Sequence, residues 1–188
     1  MENTIIDIDV DKSYSLEEYI TLDAKSNTKH EFYHGKLFQM PGAPILHNQI
    51  CLQLFFILRQ QLLETSFEIN VENVKVKIQN EEIYLYPDVV LSTEKATTLD
   101  SYIIYNPILL AEVLSASTRK YDSTDKFIQY SKIDSLKYYL LIEPEKHVVI
   151  FYERTPDNDW QSSPFTELNE TINLPFLNCS ISLGDIYK

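Results

Sequence analysis

The sequence predicts an α/β protein of the mixed α+β kind, with a central mixed β-sheet flanked by helices. Three observations lead to this prediction. Short runs rich in β-branched and aromatic residues recur along the chain, a few segments have the apolar spacing of helices, and 44% of the residues are hydrophobic. No linker, repeat or low-complexity tract interrupts the sequence, so we expect residues 1–188 to form one domain.

The first third of the chain predicts a helix, a hairpin and a second helix. Ser15 and Glu18 form a capping-box pattern at the start of a helix over residues 16–25. A His-Gly pair at residues 34–35 separates two strand-like runs, which is typical of a hairpin. Residues 45–63 are apolar on nearly all sides, and this predicts a central, well-buried helix.

The middle of the chain predicts a series of strands. Residues 74–78 alternate, with valine and isoleucine on one face and two lysines on the other, as in a half-exposed strand. Residues 83–92, IYLYPDVVLS, read as one further strand, and residues 107–115, PILLAEVLS, read as a buried strand. The second of these carries one carboxylate, Glu112, whose burial costs several kcal/mol unless it is paired, protonated or bound to a cation.

The last third predicts a helix that crosses back, followed by more sheet. A helix is expected over residues 119–133, with Phe127, Tyr130 and Ile133 on one face. Residues 136–144 and 147–154 read as adjacent strands joined by a short turn, and the tail reads as one or two short strands and a final turn.

Charge limits the partners that the chain is expected to bind. The net charge is -12, which by itself argues against a general nucleic-acid binder. Residues 119–137 are an exception, with five bases against three acids. This segment is either a site for an anionic partner or a solvated helix face.

Composition also indicates the compartment. No uninterrupted apolar run reaches the length of a membrane span, and the N-terminus is acidic where a secretory signal is basic. Cys51 and Cys179 do not make a disulfide scaffold, and no cysteine or histidine cluster has the spacing of a zinc site. We therefore expect a cytoplasmic protein with no membrane partner.

Three ionisable residues form a constellation that suits metal chemistry. Asp88 follows a proline at the start of a strand, Glu112 lies on the next strand, and Lys126 lies on the helix after it. Two carboxylates on neighbouring strands can hold one hard divalent cation, and a nearby lysine can stabilise the charge of a transition state. These parts suit metal-assisted phosphodiester hydrolysis. A structural interpretation competes: a turn aspartate, a Glu112–Arg119 salt bridge and a solvated lysine.

The surrounding sequence resembles the Uma-two (Uma2) family of restriction-endonuclease-like proteins, in the PD-(D/E)XK superfamily. The motifs that carry the resemblance are YPDVVLS, EVLSASTRKYDSTDKFIQY and KYYLLIEPEKHVVIFYER, with SLEEYITL and HEFYHGKLFQMPG upstream. It extends roughly over residues 15–154 and is weaker in the tail. The resemblance implies a restriction-endonuclease-like core and a nuclease activity, and it implies that dimers form, since many nucleases of this fold cut duplexes as dimers.

The resemblance also implies roles for individual residues. Asp88 and Glu112 would be the metal ligands, holding Mg²⁺ or Mn²⁺. The superfamily's usual lysine, two residues after the glutamate, is replaced here by Leu114, so Lys126 on the following helix would supply the ammonium. Glu31, in KHEFYHG, matches an acidic position that could be a further partner of the metal or of the attacking water, and the alternative for this strand residue is a surface salt bridge.

Three other residues keep two interpretations each. His47 matches a family histidine and would either make a hydrogen bond near the metal or be a satisfied histidine at a helix start. Lys126 could form an ion pair with Asp122, one helical turn before it, instead of serving catalysis. Tyr130 belongs more often to a core than to a site.

We therefore expect a divalent-metal-dependent endonuclease that acts on DNA and forms a homodimer. A catalytically idle relative, working as a nucleic-acid-binding or regulatory module, is the alternative that the acidic charge favours. A metal-dependent hydrolase of small phosphate esters is a third reading, since it would tolerate an acidic surface better.

Overall fold

A computed structural model describes residues 8–9, 12–40, 42–96, 98, 102–115 and 125–188. Within them the helices are α1 (Leu16–Lys25), α2 (Ile45–Gln61), α3 (Phe127–Tyr130) and α4 (Leu183–Ile186). The strands are β1 (His30–Tyr33), β2 (Lys36–Gln39), β3 (Glu68–Val71), β4 (Lys75–Lys77), β5 (Ile83–Leu85), β6 (Val89–Ser92), β7 (Ile103–Ile104), β8 (Pro107–Val113), β9 (Tyr138–Glu143), β10 (Val148–Arg154), β11 (Trp160–Phe165), β12 (Thr171–Leu174) and β13 (Cys179–Ser182).

The strands form two main sheets and a hairpin. The larger sheet has six strands in the order β11-β10-β9-β8-β6-β3, and the smaller has five in the order β2-β1-β5-β4-β7. Strands β12 and β13 pair with each other alone. The parallel pairs are β8 with β9 and β4 with β7, so both main sheets are mixed. The predicted α+β class with mixed sheets and flanking helices is confirmed.

The six-stranded sheet has a core on each face because its central strands are buried on both sides. In β8, Leu109, Ala111 and Val113 belong to the core that contains α2. Leu110 belongs to the core on the opposite face, which also holds Tyr130 of α3 and the inner residues of the five-stranded sheet. A third, aromatic cluster packs α1 on the far side of the five-stranded sheet.

Local sequence signals at the N-terminal side gave the right elements. The Glu18 backbone N–H donates to Ser15 Oγ (3.1 Å) and the Ser15 N–H donates to the Glu18 carboxylate (2.7 Å), completing the capping box of α1. His34 and Gly35 both have positive φ, 46° and 85°, as a tight turn between antiparallel strands requires. The predicted helix and hairpin are therefore both found.

Helix α2 is not buried on all sides, and that prediction was wrong. Ile50, Leu54 and Leu58 face the six-stranded sheet and are fully buried, whereas Leu52 and Phe56 are more than half exposed. The helix covers one face of the six-stranded sheet and also contacts α4 and β13, while the side that carries Leu52 and Phe56 is exposed. Apolar composition could not distinguish the covered side from the open one.

Two strand predictions also need correction. Residues 83–92 are not one strand, because the chain leaves the five-stranded sheet after Leu85 and joins the six-stranded sheet at Val89. Lys75 was expected on an exposed face, but it is 6% exposed and its ammonium lies 2.9 Å from the Asp23 carboxylate. The alternation of apolar residues and lysines predicted the two faces of β4 correctly. It could not show that α1 covers the face that carries Lys75.

The remaining differences concern the last third of the chain. Helix α3 covers Phe127–Tyr130 and follows a π-helical turn at residues 125–126. The expected start of the helix near Arg119 lies outside the described residues. The predicted adjacent strands are β9 and β10, paired antiparallel. The tail contains three strands where one or two were expected, since β11 extends the large sheet and β12–β13 form a separate hairpin.

The two sides of α2 give a matched pair of substitutions. Leu54→Ala should lower the free energy of unfolding by about 2–5 kcal/mol, because it leaves a cavity under the helix. Leu52→Ala, on the open side, should change it by less than about 0.5 kcal/mol. Urea unfolding followed by circular dichroism measures both, and equal losses would contradict this orientation of the helix.

Candidate active site

Asp88 and Glu112 are brought together by the crossing of the chain between the two sheets. Strands β6 and β8 are antiparallel and Val89 pairs with Ala111, so Asp88 and Glu112 come next to each other at the end of this pair. Asp88 Oδ2 accepts the backbone N–H of Val113 (2.6 Å). This bond fixes the Asp88 carboxylate against the strand that carries Glu112.

Lys126 projects into the interior between two glutamates. Its Nζ lies 3.2 Å from Glu112 Oε1 and 3.1 Å from Glu31 Oε1. It also donates to the backbone carbonyl of Tyr86 (3.2 Å). The lysine and both glutamates are at most 2% exposed, so all three charges are removed from water. The buried lysine thus connects β1, β8 and the turn before α3.

Tyr130 is a further hydrogen-bond partner of the Glu112 carboxylate. Its hydroxyl donates to Glu112 Oε1 (2.8 Å), one helical turn after Lys126. Burial, with a further contribution from the Glu112 charge, raises the pKa of Tyr130, so the phenol remains protonated and acts as a donor. Tyr130 is therefore both a core residue and a neighbour of the site.

The charge balance of this cluster favours a cation. Glu31 and Glu112 carry two negative charges against the single positive charge of Lys126. A buried charge is stable only if it is paired and hydrogen-bonded, and among the described residues two carboxylates share this one ammonium. Asp88, 17% exposed, adds a further carboxylate at the opening, and its Oδ1 makes no hydrogen bond to the described residues. The donor set thus fits a divalent cation bound through oxygen.

A histidine from α2 reaches the same place. His47 Nε2 lies 3.1 Å from Asp88 Oδ2, and His47 Nδ1 lies 3.7 Å from Cys51 Sγ. Ligand atoms of these three residues lie within 4.8 Å of one another, the spacing of groups that could share one metal ion. Burial raises the pKa of the Cys51 thiol, so its sulfur stays protonated.

A cleft of about 350 Å³ is lined by His47, Asp88, Glu112 and Lys126. Lys29 and Glu72 also line it. Glu72 and Asn73 are consecutive non-glycine residues with positive φ (52° and 55°), a strained conformation that clusters at functional sites. A charged group bound in the cleft would therefore contact the carboxylates of Asp88 and Glu112.

Sequence reasoning missed a second buried polar cluster behind the first, built on Asp23 of α1. Asp23 Oδ2 accepts the Tyr86 hydroxyl (2.6 Å) and lies 2.9 Å from Lys75 Nζ. The main chain of Tyr86 faces the other way, since its N–H donates to Glu31 (3.0 Å) and its carbonyl accepts from Lys126. Tyr86 therefore links the two clusters. The available signal was a carboxylate on the same helical face as buried Tyr19.

The structure brings Glu31, Glu112 and Lys126 into contact, and Asp88 lines the same cleft as Glu112 and Lys126. The competing partners named from the sequence, Arg119 and Asp122, lie outside the described residues. The locally basic segment around α3 is less available than its composition suggests. Lys126 is buried, and Lys132 pairs with Glu81 at 3.0 Å.

Comparison with known proteins agrees with this fold and family. A crystal structure described as a "putative nuclease belonging to DUF820" from Anabaena variabilis superposes with a TM-score of 0.75 at 16% identity, covering 92% of this chain and 97% of that one. The two chains therefore share a fold. The model of the Uma2 family, described as "Putative restriction endonuclease", matches residues 16–184. The chain belongs to the Uma2 family, as the sequence motifs indicated.

Two cyanobacterial relatives are similar over most of their length. The uncharacterised Synechocystis protein sll1609 is 31% identical over 168 residues, which is 88% of this chain and 95% of the relative. The uncharacterised Synechocystis protein slr1290 is 28% identical over 174 residues, 93% of this chain and 91% of the relative.

In the described ranges, we find no helix with the length and apolarity needed to span a membrane.

The burial of Lys126 predicts a large stability effect. Lys126→Met should lower the free energy of unfolding by about 3–5 kcal/mol, because it leaves two buried carboxylates without their shared cation. Lys132→Met removes an exposed ion pair and should cost less than about 1 kcal/mol. Chemical denaturation of both variants without added metal checks this, and a Lys126→Met loss as small as that of Lys132→Met would contradict the buried cluster.

The Asp23 cluster predicts a pH dependence. Burial raises the pKa of Asp23, but hydrogen bonds from Tyr86 and Lys75 outweigh this and hold the pKa below its usual value. The stabilisation is therefore present above the unfolded-state pKa of about 3.9 and is lost as pH falls through the lower folded-state pKa. Asp23→Asn should destabilise the protein at pH 7, and the difference from wild type should shrink below pH 4.

Urea titrations at pH 7 and pH 3 measure this change. Asp157→Asn, at an exposed position, should follow the wild type at both pH values. A difference between Asp23→Asn and wild type that stays constant across this range would show that the Asp23 charge does not contribute.

Proposed function

We propose that this protein is a divalent-metal-dependent nuclease that hydrolyses phosphodiester bonds, with DNA as its substrate. The observation that carries the proposal is the Lys126 ammonium, held between Glu31 and Glu112 on a cleft that Asp88 also lines. Carboxylates that can hold a cation, with an ammonium beside them at the end of a strand pair, suit metal-assisted hydrolysis of a phosphate.

In this proposal Asp88 and Glu112 hold the cation, which is Mg²⁺ or Mn²⁺. A cation there would polarise the scissile phosphate and make water a better nucleophile. Asp88 is oriented for this role by the Val113 N–H, which leaves the outer carboxylate oxygen directed away from the strand bond. Glu112 is held by the Tyr130 hydroxyl, which fixes its carboxylate without neutralising it.

Lys126 supplies the positive charge of the protein itself. Its ammonium lies beside Glu112 and lines the cleft, where it can hold the attacking water or stabilise the charge that develops on the phosphate. Glu31 contacts Lys126 from β1 and the Tyr86 carbonyl takes a further hydrogen bond, so the ammonium is oriented before substrate arrives. In this arrangement Glu31 acts through Lys126 on the reaction.

The net charge of -12 supports a rival function, because phosphate neutralisation drives most nucleic-acid affinity. A catalytically idle binding or regulatory module of the same fold would keep the carboxylates only as a structural cluster. Hydrolysis of small phosphate esters would also tolerate the acidic surface. A homodimer and a cytoplasmic location remain predictions of the sequence.

The reaction is tested with supercoiled plasmid, single-stranded DNA and RNA in the presence of Mg²⁺ or Mn²⁺. We expect the wild type to cleave DNA and a chelator to stop it. Asp88→Asn, Glu112→Gln and Lys126→Met should each lower the rate at least about 100-fold, because each removes a charge on which the transition state depends. Gel electrophoresis and initial rates measure the effect.

Asp157→Asn is the matched control, since it removes an exposed carboxylate that does not line the cleft, and it should cleave at the wild-type rate. Cleavage that survives Asp88→Asn together with Glu112→Gln would place the activity elsewhere. Binding of nucleic acid without cleavage under any metal would favour the idle module, and turnover of small phosphate esters alone would favour the third function.

A further inference from the structure

We propose that His47 is a third ligand of the cation, and that the site therefore selects a first-row transition-metal ion such as Mn²⁺ over Mg²⁺. This inference rests on the proposed function for the existence of the cation, and it adds the identity of the ligand set. The observation behind it is the approach of His47 Nε2 to Asp88 Oδ2, at 3.1 Å, on the wall of the cleft.

The geometry of the pair matches two adjacent ligands on one ion. Two atoms bound at about 2.1 Å and at right angles to each other are about 3.0 Å apart, close to the observed separation. His47 lies in the first turn of α2, a 17-residue helix whose buried face is packed on the six-stranded sheet. Its imidazole is therefore carried by a rigid element, and its side chain is 9% exposed on the wall of the cleft.

Charge favours a cation at this point over a simple hydrogen bond. Asp88 Oδ2 already accepts the Val113 N–H at 2.6 Å, so the carboxylate is oriented without the histidine. Glu72 and Glu112 line the same cleft as His47 and Asp88, so a cation held by the imidazole and Asp88 would lie in a cleft with further carboxylates. An ion bound by the imidazole and by Asp88 would reduce their mutual repulsion.

Cys51 lies beside His47 but is not a ligand in this proposal. Its side chain is fully buried in the core under α2, and its sulfur faces His47 Nδ1 at 3.7 Å. A ligating histidine normally directs its other ring nitrogen at a hydrogen-bond partner, which fixes the ring. Cys51 Sγ is in the position to do this, and Nε2 then faces Asp88.

One nitrogen ligand changes which ion the site prefers. Mg²⁺ takes oxygen ligands almost exclusively and keeps most of its waters, whereas imidazole suits transition metals. We expect the wild type to bind Mn²⁺ at least about tenfold more tightly than Mg²⁺, and His47→Ala to weaken Mn²⁺ binding at least about tenfold while changing Mg²⁺ binding much less. His147→Ala removes an exposed histidine outside the cleft and should change neither affinity.

The decisive measurement is electron spin-echo spectroscopy of the protein loaded with Mn²⁺. A coordinated imidazole gives a ¹⁴N modulation, which should be present in the wild type and in His147→Ala and absent in His47→Ala. Labelling the four histidines with ¹⁵N in the wild type should change the modulation frequencies, so the test does not depend on a variant that folds. Isothermal titration calorimetry with MnCl₂ and MgCl₂ gives the affinities.

Several outcomes would overturn the inference. The first is the absence of a nitrogen coupling, and the second is no binding of Mn²⁺. The third is an equal loss of affinity for Mn²⁺ and Mg²⁺ in His47→Ala, which is expected if His47 only orients Asp88. The proposed function fails separately. A protein that cleaves DNA with Mg²⁺ and shows no nitrogen coupling would keep the nuclease and lose the ligand, and a protein with the coupling but no cleavage would do the reverse.

Discussion

The buried ammonium of Lys126 is the interaction on which the arrangement of this site depends. It lies between Glu31 and Glu112, which belong to different sheets, and all three side chains are nearly inaccessible to water. Without the lysine, two carboxylates would face each other in a low-dielectric interior, which costs several kcal/mol. The contact of the two sheets near the cleft and the orientation of Glu112 are therefore coupled to one side chain that comes from the turn before α3.

This cluster is held from behind by Tyr86, at the point where the chain passes from one sheet to the other. The main chain of Tyr86 bonds Glu31 and Lys126, and its hydroxyl bonds Asp23 of α1. Asp88 follows two residues later, so the same short segment fixes both the lysine cluster and the outer carboxylate. Because packed interiors transmit small displacements, a change at Asp23 reaches the cleft without touching it.

The sequence was sufficient for the class of fold and for most elements, because local signals determined them. The capping box of α1, the turn at His34 and the buried β8 run each depend on neighbouring residues. The family motifs also named the residues that meet in the cleft. What could not be predicted depends on which element covers which face: the open side of α2 and the burial of Lys75 under α1 follow from tertiary packing.

At residues 86–88 the chain passes from one sheet to the other, and this feature of the site could not be predicted from the sequence either. IYLYPDVVLS has the composition of one continuous strand, and only the assignment of its halves to two sheets sets Asp88 beside Glu112. Similarly, Glu112 of the PILLAEVLS strand needs a partner for its buried charge. The sequence left three candidates, which are a bound metal cation, Lys126 and Arg119. Within the described residues Glu112 contacts Lys126 and Tyr130, and it shares the Lys126 ammonium with Glu31.

The negative charge of the chain affects how this cleft could bind a phosphate. Among the described residues its lining includes Lys29 and Lys126 against Glu72, Asp88 and Glu112, an excess of one negative charge that repels a phosphate. A divalent cation would reverse the sign of that charge, because two positive charges exceed the single negative surplus. Cation binding should then precede substrate binding, and the affinity for a phosphate should depend on metal concentration. The net charge of -12 therefore counts less against a nuclease that binds its cation before the phosphate than against a nuclease that works without metal.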